Sequence, residues 1–125
     1  MWLYELENSI RRYKWGSTQI LQDLLGVPSD GVERWAELWI GTHSRAPSVV
    51  KLPAGRRPLD DWIAESPEAI LGEQVARQFN NALPFLLKVL ATESPLSLQV
   101  HPKRSDAQSG FRREETAGIP SKDPK

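Results

Sequence analysis

The stretch "PLSLQVHPKR", residues 95–104, alternates Leu96, Leu98 and Val100 with Ser97, Gln99 and His101. A period of two is the signature of a half-buried strand, with one face in the core and one free. A free face is ordinarily Lys, Glu and Thr. Here it carries a hydroxyl, an amide and an imidazole, each able to coordinate or to hydrogen-bond directionally. The preceding "PFLLKVLAT", residues 84–92, also reads as a strand. If residues 92–95 link the two as a hairpin, Lys88 lies opposite Gln99, Leu90 opposite Ser97 and Leu86 opposite His101. Opposed residues share a face, so Lys88 joins Ser97, Gln99 and His101, while Leu87, Val89, Leu98 and Val100 form an apolar face. A slip of one residue would turn Lys88 away. In this register the polar face has the character of a pocket wall.

Outward from this pair, the chain reads as short elements. "SIRRYKW", residues 9–15, has strand character and stops at Gly16. In "STQILQDLLG", Ile20, Leu21, Leu24 and Leu25 recur at helical spacing, with Ser17 or Thr18 able to cap and Gly26 to terminate. "AELWIGTH" (36–43) and "SVVKL" (48–52) read as strands around a proline-containing connection. A segment spanning about 57–82 holds two or three short helical patterns broken at Pro67, Gly72 and Pro84. Beyond His101 the sequence turns polar, with a short helix expected near 105–113 and then a loop. No internal repeat or low-complexity tract is evident.

Composition bounds the function. The 125 residues fit one domain, and 39% apolar with 26% charged residues is ordinary for a globular protein. Sixteen basic and sixteen acidic residues cancel, which argues against nucleic acid or a membrane surface as partner. There is no cysteine, hence no disulfide framework and no thiolate metal site. The first seventeen residues lack a signal-peptide apolar run, and no transmembrane stretch occurs, so the expected location is cytoplasmic. Ten prolines and eight glycines favour short strands and turns over a helical bundle.

On pattern alone, Gln-x-His on a strand supports a metal site or simply a polar ligand pocket in a mainly β domain. Glutamine is an uncommon zinc ligand, and two donors need two more from elsewhere. A lone histidine on a strand is more often a hydrogen-bonded structural residue.

The blocks "YKWGS" (13–17), "AELWIGTHSRAPS" (36–48), "LPFLLKVLATESPLSLQVHP" (83–102) and "GIPSKDPK" (118–125) resemble, in that order, the type I mannose-6-phosphate isomerases. The resemblance covers the chain nearly end to end, and the long block at 83–102 is its most specific part. It implies a cupin-type (jelly-roll) β-barrel portion with an inserted short-helix region, a single incomplete N-terminal domain over 1–125. It implies an enzyme interconverting mannose 6-phosphate and fructose 6-phosphate with one zinc ion. By the same resemblance Gln99 and His101 match two of four zinc ligands, Lys88 the active-site lysine, and Ser97 a serine that holds the substrate phosphate. Trp15 and Glu37 match further substrate-pocket residues.

Plainer roles stand beside these. Trp15 is equally suited to core packing, Glu37 to an ion pair with Arg12, and His43 to a loop hydrogen bond. Where the family continues past "GIP" to a third ligand, a glutamate, this sequence stops at Lys125, so a truncated barrel is expected. Exposed strand edges would then favour self-association. Two further readings remain: a non-catalytic fragment that at most binds sugar phosphate or pairs with a complementary half, and a carbohydrate-binding module built on the tryptophans.

Overall fold

The computed structural model describes residues 3–120. Its elements run β1 (Glu5–Glu7), β2 (Ser9–Arg11), α1 (Ile20–Leu25), β3 (Glu37–Gly41), β4 (Val49–Leu52) and β5 (Gly55–Pro58). They continue with α2 (Leu59–Glu65), α3 (Pro67–Leu71), α4 (Glu73–Gln78), β6 (Leu86–Leu90) and α5 (Arg104–Thr116). The strands form two antiparallel three-stranded sheets, ordered β1-β4-β5 and β2-β3-β6.

Sequence period sets the faces of the second sheet. Along β3, Leu38 and Ile40 point to one side and Glu37 and Trp39 to the other. The first side packs Leu38 against Leu21 of α1 and Ala91, with Ile10, Trp35, Ile40 and Val89 around them. The first sheet buries Val50 against Leu59 and Ile63 of α2, with Leu6, Leu52 and Trp62 alongside. A buried polar hinge joins the sheets. Ser48, fully buried, accepts the Gly41 N–H at its Oγ (2.9 Å) and donates to Asn8 Oδ1 (2.7 Å).

Local chemistry explains the ends. Ser17 Oγ accepts the N–H groups of Gln19 (3.2 Å) and Ile20 (3.3 Å), holding the start of α1. Gly26, at φ +66°, closes that helix by donating to Asp23 O at 3.2 Å. The strand expected over 9–15 stops at Arg11, because the chain turns there and Gly16 N–H bonds back to Tyr13 O. The helix expected near 105–113 runs the full length of α5.

Two strands are not evident in the sequence. β1 is only three residues long, and β5, "GRRP", takes in Arg57 and Pro58, which fall in the segment expected to hold helices. The converse correction concerns residues 95–102, which form no strand. β6 pairs with β3 instead, placing Lys88 opposite Trp39. Leu98 is 100% and Val100 93% exposed. Among the described residues nothing covers that apolar face, and an alternating pattern without a layer to bury against has too little to hold it extended.

Candidate functional site

The polar side of the β2-β3-β6 sheet is where the chemistry gathers. Register puts Ser9 and Lys88 on either side of Trp39, and Arg11 and Leu90 on either side of Glu37. Trp39 is the centre of the group and is only 6% exposed. Its indole N–H donates to Glu37 Oε2. Lys88 Nζ lies 3.8 Å from the same carboxylate oxygen and 4.4 Å from the centroid of the Trp39 ring. From β2 the Arg11 guanidinium stands 5.0 Å from that centroid. The His43 ring closes the cluster, 4.6 Å from Trp39 and tilted by 60°.

The electrostatic logic is simple. A flat indole with a negative π-face attracts both cations, and its positive edge, the N–H, holds the anion. The Glu37 side chain is largely buried, so its carboxylate needs the indole N–H that it accepts and the ammonium that pairs with it. Lys88 remains partly open to solvent and can reach an incoming anion. Three carboxyls outside this cluster are held below their ordinary range. Asp30 is lowered by the backbone N–H groups of Glu33 and Val32. Glu33 is lowered by the Trp35 indole and then by Arg12, and Glu65 by Arg57.

Each candidate residue can now be placed. Lys88 and Glu37 come together, as neighbours on adjacent strands. Glu37 does not pair with Arg12, whose Nε bonds Glu33 Oε1 at 2.5 Å. Trp15 is half-buried and stacked on Tyr13, with centroids 5.5 Å apart. Its carbonyl accepts the Glu93 N–H (2.9 Å), and Gly16 bridges Thr92, so the "WGS" turn anchors the start of the following segment. Ser97, Gln99 and His101 sit on that segment, exposed and outside any element, and none makes a hydrogen bond within the described residues. The hairpin that would have set them beside Lys88 is not formed. Arg11 and Trp39 are the participants that sequence reasoning missed. Their signal was present, since both share the parity of Glu37 on paired strands.

Zinc requires four donors in tetrahedral array. Gln99 and His101 offer two neutral ones on an exposed segment. Among the described residues no group of three or more His, Cys, Asp or Glu comes together to hold a metal. These residues do not by themselves build a zinc centre.

Residues 3–121 match the family profile "Phosphomannose isomerase type I, catalytic domain". The chain belongs to this family. Among curated relatives, mannose-6-phosphate isomerase of Escherichia coli (strain K12) is 42% identical over 119 residues, which are 94% of this chain and 30% of that protein. The Homo sapiens protein of the same name is 35% identical over 115 residues, covering 85% of this chain and 27% of its own length. A solved zinc-bound mannose 6-phosphate isomerase superposes with a TM-score of 0.82 at 40% identity, over 96% of this chain and 30% of that one. A mutant of phosphomannose isomerase from Salmonella typhimurium gives 0.85 at 39%, over 98% and 31%. This chain thus spans about 30% of the length of those relatives. The two sheets are its portion of the cupin-type fold, and the family includes zinc-bound members. No helix among the described residues is long and apolar enough to cross a membrane.

Proposed function

We propose that this chain forms a substrate-facing wall of a zinc-dependent aldose–ketose isomerase that interconverts mannose 6-phosphate and fructose 6-phosphate. The reading treats residues 1–125 as one cupin-like isomerase domain portion, with an inserted helical segment over about 57–82, acting in the cytoplasm. The observation that carries it is the Lys88–Glu37 pair set over Trp39. In this reading Gln99 and His101 are two of four zinc donors, with the other two supplied from outside the described residues. Ser97 donates to the phosphate, and Trp15 borders the sugar.

The reaction moves a proton between C1 and C2 while negative charge develops on oxygen. A positioned cation lowers the energy of that charge more than it lowers the energy of the substrate. Lys88 suits this task because Glu37 and the indole hold its ammonium in place before substrate arrives. Glu37 and Trp39 in turn keep the ammonium from folding back to solvent.

Zinc by elemental analysis and isomerase turnover, measured on one preparation, test the proposal. Turnover lost in both Lys88→Ala and His101→Ala supports it. Turnover that survives His101→Ala and chelation refutes the zinc assignment.

A second reading is favoured by one observation, the bare apolar side chains of Leu98 and Val100. In it the chain is a non-catalytic, sugar-phosphate-binding portion that associates through its open β6 edge. Zinc-free, inactive protein whose sedimentation coefficient rises with concentration would favour this reading.

A further inference from the structure

The polar face holds one cation that the cluster does not satisfy. Arg11 and Lys88 bring two positive charges to Trp39, and Glu37 is the carboxylate among them. Glu37 is engaged by Lys88 and by the Trp39 indole, although Arg11 is its own partner across the β2–β3 ladder. Arg11 Nε is buried and has no hydrogen-bond partner. Among the described residues no acceptor meets any nitrogen of this side chain, and its guanidinium lies against the Trp39 ring.

An unpaired buried donor on a charged group is unfavourable by more than an ordinary lost hydrogen bond. The buried Nε is closed to an outside group, but the two terminal nitrogens of the same guanidinium are neither buried nor hydrogen-bonded among the described residues, so an acceptor from outside can reach them. A guanidinium is a planar fork of donors matched to two oxygens of a phosphate or carboxylate, and it does not lose its charge at any working pH. The face around it has an excess of positive charge, which attracts an anion before contact.

We infer that Arg11 is a further anion-binding residue of this face, contacting the phosphomonoester of the substrate from β2, while Lys88 on β6 faces the reacting oxygens. This rests on the sugar-phosphate reading above. Trp39 is then the platform against which both cations rest.

The test uses the 125-residue chain, with inorganic phosphate, mannose 6-phosphate and unphosphorylated mannose as probes. Titration calorimetry on Arg11→Gln should show affinity for phosphate and for mannose 6-phosphate falling by about tenfold, the scale of one charge-assisted hydrogen bond. Affinity for mannose should stay the same. Arg11→Lys, which keeps the charge and loses the fork, should fall between. In the wild-type chain the Arg11 Nε–H resonance should shift as phosphate is added, which decides the matter even if the variants fold poorly.

An unmoved resonance, or Arg11→Gln within twofold of wild type for both anions, overturns the inference. If mannose 6-phosphate still binds in that case, the isomerase reading survives. If phosphate moves the resonance but mannose 6-phosphate does not bind, Arg11 binds inorganic anions only and its role toward the substrate is overturned. No response of the wild-type chain to either anion overturns the Arg11 inference, whereas the isomerase reading stands or falls on zinc content and turnover.

Discussion

Replacing Gly16 by alanine should be among the most damaging small changes this chain can suffer. A Cβ built on Gly16 would lie 2.8 Å from the Cα, the Cβ and the nitrogen of Ala36. Carbon atoms rest at about 3.5–4.0 Å, so the backbones must part by about 1 Å. They cannot do so cheaply. Ala36 is fully buried, its N–H donates to Arg11 O at 2.9 Å, and its carbonyl accepts the Ala91 N–H at 2.9 Å. On the other side Ser17 N–H donates to Ala91 O at 3.0 Å, and Ser17 O accepts from Trp35. Overpacking in so pinned a place belongs at the upper end of its usual range, about 3 kcal/mol. That is a large share of a marginal folding free energy of about 5–15 kcal/mol. In a urea titration followed by tryptophan fluorescence, the midpoint should fall by about 1–2 M. Gly26→Ala is the control, since its φ of +66° is strained for alanine but no atom lies within 4 Å; it should lose about 1 kcal/mol. The double variant Gly16→Ala with Ala36→Gly should not recover, because the Ala36 Cα and nitrogen remain in the way. A midpoint within about 0.3 M of wild type, or full rescue by Ala36→Gly, would refute the reasoning.

Three other outcomes are expected. Ser48→Ala strips the buried Gly41 N–H and Asn8 of a partner each, and calorimetry should show a loss of about 1–3 kcal/mol. Glu33 titrates below its ordinary 4.5, with the Trp35 indole as the larger cause and Arg12 the smaller. A depressed carboxyl stabilises the fold above its unfolded pKa, and that contribution disappears as pH falls through the folded one. Carbon-detected titration of Arg12→Ala should therefore move the Glu33 midpoint upward yet leave it below 4.5. Hydrogen exchange should find the amides of residues 96–100 unprotected and those of Leu38 to Ile40, paired on both edges of β3, slow.

The elements legible in the sequence were those with a burial partner in the chain itself. The period of Ile20, Leu21, Leu24 and Leu25 and the stop at Gly26 reported α1, because Leu21 meets Leu38 and Ala91. "ELWIG" and "LLKVL" read as strands, because each buries one face on that same cluster. β5 escaped notice, because its strand character comes from pairing with β4 and not from its residues. Residues 95–102 misled in the opposite direction. Their alternation is genuine, but alternation records a face that wants burying, and the layer it would face is not among the described residues. The same distinction runs through the site. Lys88 with Glu37 follows from two adjacent strands, whereas Gln99 and His101 depend on a segment whose position needs support from outside it. Arg11 and Trp39 were readable by parity once β2 was known to pair with β3.

The central claim is that this chain supplies a working wall of the isomerase site, with Lys88 and Glu37 on it. The most direct measurement grafts its 119 matched residues in place of their counterparts in the Escherichia coli relative and assays interconversion of mannose 6-phosphate and fructose 6-phosphate. The account predicts zinc-dependent turnover in the chimera that is abolished by Lys88→Ala and sharply reduced by Glu37→Gln. A folded, zinc-loaded chimera without turnover, or one indifferent to Lys88→Ala, would contradict it.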